Sequence, residues 1–175
     1  MPAHSPFCPS PPKSSVLLQS VFVSYRLRPI VPADFDALYN LDRECYPSGI
    51  AYSRRELRWY LAQPGAICFV AKVDGTMAGF ILADADPPQG HIITIDVAEA
   101  HRRRGVGTEL VGAAERALAE CGVHTVEIET ATNNEAGLHF WYVHNYRAIG
   151  LLPGYYLGRI DAVRMRKALV GPKET

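Results

Sequence analysis

The chain has 175 residues, which suits one domain with a single core, and its 18 basic and 18 acidic side chains give a formal net charge of zero. A neutral chain has no overall field to attract nucleic acid or an anionic membrane, so neither is expected as a partner. The four cysteines are widely spaced without a Cys-x-x-Cys pair, which argues against a metal site or a disulfide framework and favours free thiols in the cytoplasm.

The beginning of the chain differs in composition from the rest. Residues 1–20 are rich in proline and serine and predict a flexible extension outside the fold. The apolar run Val16–Val23 is too short for a membrane span and is broken by polar residues. We therefore expect one folded domain over 21–170, a short tail over 171–175 and no membrane partner.

Hydrophobic periodicity predicts strands and helices throughout the folded domain. Asp74-Gly75 has the composition of a hairpin turn, and Ser53 with Glu56 has the spacing of a capping box. In chain order the predicted elements are strand 21–27, helix 34–45, helix 53–62, strands 66–73, 77–83 and 91–97, helix 107–121, strand 125–130, helix 134–144, and strands 146–152 and 162–169, the last two joined by a loop over 153–161. This order predicts an α/β fold with a mixed sheet and helices on both faces.

The most informative segment runs from His91 to Leu110, where an apolar strand leads into three arginines and a Gly-x-Gly that opens a helix. Gly105 and Gly107 remove side chains where the backbone must approach a ligand, and the unpaired N–H groups of the first helical turn point at anionic oxygens. The arginines at 102–104 add neutralising charge. The segment therefore predicts a diphosphate-binding loop.

Three phosphate-binding patterns compete for this segment. A nucleotide P-loop needs a lysine directly after its last glycine, and no lysine follows Gly107. A dinucleotide fingerprint needs a small residue where this chain has Leu110, but Glu127 lies near the spacing of the ribose-binding acid, so this interpretation stays open. The third pattern is Arg or Gln, two residues, Gly, one residue, then Gly or Ala, and Arg102, Gly105 and Gly107 satisfy it. A basic helix cap on an unrelated α/β protein is the remaining alternative.

With this third pattern the chain resembles the GNAT superfamily of N-acetyltransferases, whose phosphate loop binds the diphosphate of acetyl-coenzyme A (acetyl-CoA). The resemblance runs from about Tyr25 to Leu169 and is closest to the ribosomal-protein-alanine, or protein amino-terminal, N-acetyltransferases. It implies a single GNAT-like domain with a mixed, mostly antiparallel central sheet of about seven strands and helices on both faces. It also implies acetyl-CoA as co-substrate, without a metal.

The resemblance implies which residues contact the co-substrate. In the family the strand before the phosphate loop offers its backbone to the pantetheine arm and the acetyl group, and the Val97 N–H corresponds to the oxyanion donor. Asn134 corresponds to an asparagine that contacts coenzyme A, and a helix N-cap role for it is compatible. The expected cofactor-binding residues are Ile95, Asp96, Val97, Arg102, Arg103, Arg104, Gly105, Val106, Gly107, Thr108, Asn134 and Trp141.

The general base has two leading candidates. Glu127 and Glu129 project from one face of a strand, and Glu129 matches the glutamate base in the motif Leu-Glu-Val-Arg-x-x-Asn of the ribosomal-protein N-acetyltransferases, although Ala131 replaces the arginine. His91 opens the strand beneath the phosphate loop, where some eukaryotic amino-terminal acetyltransferases place a His or Tyr that works through water. Imidazole suits that role. We expect Glu129 to be the base, with His91 as the second candidate, and a structural role is the alternative for each.

The position of the general acid is where this chain departs from the family. The family often has a tyrosine, in the pattern Leu-Tyr-x-x-x-Gly-Phe, that returns a proton to the leaving thiolate. The corresponding residues run from Phe140 to Tyr146, and Trp141 stands at the tyrosine position. Indole cannot act as this acid. Three alternatives stay open: Tyr142 takes the role, a tyrosine elsewhere supplies it, or the thiolate leaves without help.

Tyrosines on two loops indicate the acceptor. Pro153-Gly154-Tyr155-Tyr156 resembles the double-tyrosine loop of protein amino-terminal acetyltransferases, and Tyr46-Pro47 with Tyr52 resembles their aromatic-proline loop. The expected substrate-binding residues are Tyr46, Pro47, Tyr52, Tyr155 and Tyr156. We expect the acceptor to be the α-amine of a protein or peptide, such as a ribosomal protein, and the enzyme to be a monomer or a weak homodimer. A small amine such as a polyamine or aminoglycoside, and a non-catalytic acyl-CoA sensor, remain alternatives.

Overall fold

The computed structural model describes residues 25–169. Its strands are β1 (Arg26–Pro29), β2 (Ala66–Val73), β3 (Thr76–Asp86), β4 (Gln89–Val97), β5 (Thr125–Ala131), β6 (Arg147–Tyr156) and β7 (Ile160–Ala168). Its helices are α1 (Phe35–Cys45), α2 (Arg54–Leu61), α3 (Val106–Glu120) and α4 (Glu135–Val143). The Ser53–Glu56 capping box predicted for α2 is present.

The seven strands form one sheet in the order β1-β2-β3-β4-β5-β7-β6. All neighbouring strands are antiparallel except β4 and β5, which are parallel and connected through α3. The predicted α/β fold with a mixed, mostly antiparallel sheet is therefore confirmed. β4 and β5 pair only along residues 89–91 and 125–127, and they separate beyond His91.

Strand alternation divides the apolar side chains between two cores on opposite faces of the sheet. On one face, Leu38 of α1 and Leu57 of α2 pack with Phe80 of β3. On the other face, Leu110 of α3 packs with Ile81 of β3. Successive side chains of a strand point to opposite faces, so adjacent residues of β3 serve different cores. Helices on both faces hold β4 and β5 in place around the point where they separate.

The predicted loop over 153–161 is wrong, because most of this segment is strand. β6 continues to Tyr156, and β7 begins at Ile160. Gly154 has a φ of +63°, and its N–H donates to the Asp161 carboxylate at 2.8 Å. The register between β6 and β7 also shifts in this region. The Pro-Gly sequence therefore forms an irregularity in an edge strand, where proline is tolerated, instead of ending it.

Three other predicted features differ from the structure or lie outside it. The predicted strand 21–27 begins outside the described residues, and β1 spans Arg26–Pro29. The predicted extension 1–20 and tail 171–175 lie outside them altogether. The helix predicted over 107–121 ends one residue earlier, at Glu120, and Cys121 beyond it is exposed although the helical periodicity predicts that it is buried.

A buried carboxylate fixes the edge of the sheet to the start of α1. Asp34 is 1% exposed and accepts hydrogen bonds from Arg28 at 2.6 and 2.9 Å, from Lys72 at 2.8 Å and from the Val31 N–H at 3.0 Å. The Arg28 guanidinium holds the pKa of the Asp34 carboxyl well below its usual range, and Lys72 lowers it further. We expect Asp34→Asn to lower the free energy of unfolding at neutral pH by about 2 kcal/mol.

This loss should depend on pH. Because the pKa of the Asp34 carboxyl is lower in the folded state, its ionised form stabilises the fold. This stabilisation is complete above the ordinary carboxyl pKa of about 4 and is lost as the pH falls through the lower, folded-state pKa. Urea unfolding should therefore separate Asp34→Asn from the wild type at neutral pH and separate them less near pH 2. Asp36→Asn is the control, because the Asp36 side chain is 77% exposed beside Arg54 and its loss should leave the midpoint unchanged. Equal effects of the two substitutions would contradict the assignment.

Candidate active site

The separation of β4 and β5 opens a cavity of about 640 Å³. Residues 92–97 of β4 line one side and residues 128–131 of β5 line the other. The pairing of β4 with β3 skips Ile93, and such a bulge bends the strand away from its partner on the other side. The loop after α1, the phosphate loop and α4 supply the remaining walls.

At one end of the cavity the chain enters α3 through the predicted phosphate loop. Gly105 is the N-cap of α3 and has a φ of +85°, a conformation that favours glycine. The first intrahelical bond runs from Glu109 to Gly105, so the N–H groups of residues 106–108 have no acceptor inside the helix. A Cβ atom at Gly107 would stand 3.1 Å from the ring of Phe140. Free N–H donors and the absence of a side chain at Gly107 are the features that an anion site requires, and they are compatible with the predicted diphosphate site of acetyl-CoA.

The arginines of this loop are not equivalent. Arg102 lines the cavity, and its Nε donates to the carbonyl of Val97 at 2.9 Å. Arg103 and Arg104 are exposed and do not line the cavity. The Thr108 hydroxyl lies 3.2 Å from Nε2 of His144. The phosphate contacts expected of Arg103, Arg104, Val106 and Thr108 therefore stay predictions.

The backbone of β4 presents every second residue to the gap. Three carbonyls are reached from that side: Ile93 by the Tyr52 hydroxyl at 3.4 Å, Ile95 by the Tyr46 hydroxyl at 3.5 Å, and Val97 by Arg102. Ala98 instead donates its N–H to Ala78 of β3. The N–H and C=O of one strand residue lie on the same edge, so the Val97 N–H also points into the gap. These groups have the orientation expected of the pantetheine and oxyanion contacts.

The two predicted base candidates are in direct contact. Glu129 Oε2 lies 2.6 Å from His91 Nε2, and Glu129 Oε1 accepts a hydrogen bond from Arg164 Nε at 3.0 Å. The Glu129 side chain lines the cavity with 8% exposure, whereas that of His91 is 40% exposed. A carboxylate only accepts, so we assign the shared proton to Nε2 of His91. The carboxylate therefore faces the cavity and the imidazole faces solvent.

Charge and hydrogen bonding keep Glu129 ionised. Burial alone would raise the pKa of the Glu129 carboxyl, but His91 and Arg164 outweigh it and hold that pKa below its usual range. Glu127 instead pairs with Arg166 Nε at 2.8 Å and does not line the cavity. Glu129 is therefore the carboxylate on this strand that a ligand in the cavity can reach.

The side chain of Asp96 is enclosed, although the residue lines the cavity. It is 1% exposed, with Oδ2 3.5 Å from the Thr94 hydroxyl. Burial raises the pKa of the Asp96 carboxyl well above its usual range, and the neighbouring Asp42 carboxyl raises it further. Asp42 accepts the Tyr52 N–H at 2.7 Å, and burial raises the pKa of the Asp42 carboxyl to about 6. Any contact of Asp96 with a ligand in the gap is therefore expected from its backbone.

Helix α4 forms a wall of the cavity with its first and last turns. Asn134 lines the cavity and also caps α4 by accepting the Gly137 N–H at 2.9 Å, as predicted for an N-cap. Trp141 lines the cavity, is 5% exposed and packs edge-to-face on Tyr146 with ring centroids 4.9 Å apart. Tyr142, the alternative acid, is 47% exposed and does not line the cavity. The structure gives an acid role for Tyr142 no support.

The predicted substrate-binding residues come together from two parts of the chain. Tyr46, Pro47 and Tyr52 line the cavity from the segment after α1, and Tyr156 lines it from β6. The Tyr156 hydroxyl donates to the backbone carbonyl of Glu129 at 3.1 Å, and burial raises the pKa of that phenol to about 12. Tyr155 packs edge-to-face on Tyr156 and is 49% exposed. Phenol groups that stay protonated therefore surround the Glu129 end of the cavity.

Two residues of the site were not predicted from the sequence. Arg164 lies directly opposite Glu129 in the β5–β7 register, and the alternation of Arg164 and Arg166 is the only sequence signal that this pairing has. Phe140 contacts Gly107, and nothing in the sequence indicates this contact. Among residues 25–169, no group of three or more His, Cys, Asp or Glu side chains is placed to hold a metal. No helix in the same range is long and apolar enough to cross a membrane.

Comparison with known proteins identifies relatives of this chain. A family model described as the acetyltransferase (GNAT) family matches residues 35–146. An uncharacterised N-acetyltransferase of Methanocaldococcus jannaschii is 31% identical over 81% of this chain and 90% of its own length. An N-alpha-acetyltransferase of Sulfurisphaera tokodaii is 27% identical over 83% of this chain and 93% of its own length.

The fold is also that of a solved enzyme structure. A ribosomal-protein-alanine N-acetyltransferase from Escherichia coli superposes with a TM-score of 0.77, covering 87% of this chain and 98% of the other. The two sequences are 19% identical, so this likeness concerns the fold alone.

Proposed function

The chain belongs to the GNAT family of acetyltransferases, and on this basis we propose that it moves the acetyl group of acetyl-CoA to the α-amine of a protein or peptide. The family makes it an acyltransferase with acetyl-CoA as co-substrate, and it rules out the dinucleotide interpretation of the phosphate loop. The observation that supports an amine acceptor is the Glu129–His91 pair, which lies at the cavity that Tyr46, Tyr52 and Tyr156 also line. The N-alpha-acetyltransferase relative supports the same acceptor class.

The donor end of the cavity orients the thioester. Acetyl-CoA supplies an activated acetyl group, and the free N–H groups of the α3 N-terminus are the donors for its diphosphate. Gly107 leaves room for that close approach. The β4 backbone beyond the bulge offers hydrogen bonds to the pantetheine arm of acetyl-CoA in the gap between β4 and β5. The Val97 N–H is oriented to stabilise the charge that develops on the oxygen of the acetyl carbonyl.

The Glu129–His91 pair removes the proton that acetyl transfer releases. A carboxylate with a lowered pKa is a weak base, but the attacking nitrogen becomes strongly acidic as the C–N bond forms, so a weak base suffices. His91 and Arg164 hold the two carboxylate oxygens in place, which fixes the direction from which the amine delivers its proton. An α-amine, with an ordinary pKa near 8, is neutral more often at pH 7 than a lysine side chain, which favours it as the nucleophile.

The tyrosines suit a peptide backbone. A phenol has one proton to donate, and Tyr46, Tyr52 and Tyr156 donate theirs to backbone carbonyls of the chain itself. The Tyr155 hydroxyl is not among these donors, so it is the one proposed to meet a peptide carbonyl, a group that a peptide offers beyond its α-amine and a small amine does not. The free thiols at positions 45, 68 and 121 are consistent with the cytoplasm, which is where ribosomal and other nascent proteins would present their amino termini.

Substituting Tyr155 tests the peptide proposal. We expect Tyr155→Phe to raise the KM for a reactive peptide about 5- to 10-fold, the effect of one lost hydrogen bond, and to leave the KM for acetyl-CoA unchanged. Initial rates of thiol release against peptide concentration provide both constants. Tyr142→Phe is the matched control: the two tyrosines are similarly exposed and neither lines the cavity, but Tyr155 packs on the cavity-lining Tyr156, whereas Tyr142 does not.

The outcomes separate the candidate functions. Peptide turnover that is insensitive to Tyr155→Phe would contradict a peptide clamp at this tyrosine. Turnover of small amines without turnover of peptides would favour the small-amine alternative. Acetyl-CoA binding without any turnover would favour the sensor alternative, for which the replacement of the family tyrosine by Trp141 is the supporting observation.

A further inference from the structure

Trp141 is the buried aromatic residue of the cavity whose polar group has no assigned role. The ring makes edge-to-face contacts with Phe140 and Tyr146, with centroid separations of 5.0 and 4.9 Å, so it is held in an aromatic cluster. No residue in the described range 25–169 accepts a hydrogen bond from its indole N–H. That nitrogen is also not among the fully enclosed side-chain atoms that lack a partner. Trp141 lines the cavity, and this N–H is the polar group that its side chain can offer to a ligand there.

The position of this N–H along the cavity limits what it can meet. The ring of Phe140, the preceding residue, lies 3.1 Å from the place that a Cβ atom would take at Gly107 of the phosphate loop. Residues 128–130 of β5, which include Glu129, line the same cavity opposite the β4 backbone. Trp141 therefore lies between the end that holds a diphosphate and the end that holds the base. In an acetyl thioester bound along this path, the sulfur is on the phosphate-loop side of the carbonyl carbon and passes this wall.

We infer that the indole N–H of Trp141 donates a hydrogen bond to the departing sulfur and stabilises it as a thiolate. The inference rests on the proposed function. The amine nitrogen forms the C–N bond, its proton goes to the Glu129–His91 pair, and the C–S bond breaks with its electron pair on sulfur. Trp141 keeps its proton, because indole is a donor and not an acid at neutral pH. The thiolate takes its proton from water after release.

The inference has a direct spectroscopic test that needs no acceptor. The chain contains two tryptophans, and the other, Trp59, is 59% exposed and does not line the cavity. In protein with isotopically labelled tryptophan, Trp59→Phe assigns the two indole N–H resonances. We expect the Trp141 resonance to move downfield with saturating coenzyme A and to move further as the pH rises towards the pKa of its alkyl thiol, which lies above the cysteine value of about 8.5. Desulfo-coenzyme A, which lacks the sulfur, should not produce this shift. Identical responses to the two ligands would overturn the inference.

Kinetics provides the second arm. A hydrogen bond to a charged group is worth about 10- to 100-fold in rate, so Trp141→Phe should lower kcat by that factor while the dissociation constant for acetyl-CoA stays within about threefold. Trp59→Phe should change neither value. A loss of binding equal to the loss of kcat would show that Trp141 only packs against the ligand, and this would overturn the inference. Because the resonance test requires no turnover, a failure of the proposed function would appear as an inactive enzyme whose Trp141 signal still distinguishes the two ligands.

Discussion

Glu129→Gln should lower kcat for acetyl transfer about 1,000-fold while the protein still binds acetyl-CoA. The amide has nearly the same shape as the carboxylate but cannot take up the amine proton. The carboxylate also carries an ion pair with Arg164 at 3.0 Å, so thermal unfolding should accompany the kinetics to show that the variant is folded. Single-turnover rates with a reactive peptide measure the effect on the chemical step.

Glu127→Gln is the matched control for this prediction. Glu127 is two residues away on the same face of β5, is also paired with an arginine, and does not line the cavity. Its substitution should leave kcat within about threefold of the wild type. If both substitutions had similar effects, or if Glu129→Gln retained most of the activity, the assignment of Glu129 as the base would be wrong.

The acid limb of the rate profile tests the same assignment. The pKa of the Glu129 carboxyl lies below its usual range because the effects of His91 and Arg164 exceed that of burial. The carboxylate therefore stays ionised wherever an ordinary glutamate carboxylate would be ionised. Loss of rate between about pH 8 and pH 6 should follow protonation of the acceptor amine, and it should move when peptides with different α-amine pKa values are compared.

Gly107→Glu should weaken acetyl-CoA binding by at least about 100-fold. The new carboxylate would stand at the α3 N-terminus, where the diphosphate needs unopposed N–H groups, and even its Cβ atom would press on Phe140 at 3.1 Å. Isothermal titration with acetyl-CoA measures this loss directly and requires no acceptor.

Gly112→Glu makes the same change further along α3. A Cβ atom at Gly112 would meet only the end of the flexible Arg116 side chain at 3.3 Å, so this variant should bind acetyl-CoA as the wild type does. Tight acetyl-CoA binding by Gly107→Glu would remove the phosphate loop from the site. Equal losses in both variants would instead indicate general damage to α3.

Local patterns in the sequence predict most of the fold because they report on local physics. The Ser53–Glu56 capping box, the glycine-opened α3 and the Asn134 cap each need only neighbouring residues, and each is present in the structure. The β6–β7 hairpin was predicted incorrectly because Pro153-Gly154 has the composition of a loop. Its strand structure depends on pairing with β7 and on the Asp161 carboxylate, which is a contact that composition does not indicate.

The site depends on the register between strands, which local sequence patterns do not reveal. His91 and Glu129 were separate candidates in the sequence, and they touch because β4 and β5 run parallel and begin to separate just beyond His91. Arg164 reaches Glu129 because the β5–β7 register places them opposite each other. A shift of one residue would turn Arg164 to the other face. The contacts of Glu129 with His91 and Arg164 can therefore be recognised only in the folded sheet.

The most direct test of the account is to incubate the wild-type protein with acetyl-CoA and a library of short peptides that differ in their first four residues. Mass spectrometry then locates every acetyl group that is transferred, and thiol release gives the rate. We predict acetylation of the α-amine in a subset of the peptides and none in the same sequences with a blocked amino terminus. An absence of α-amine acetylation across the library, with acetyl-CoA binding intact, would contradict the proposed acceptor.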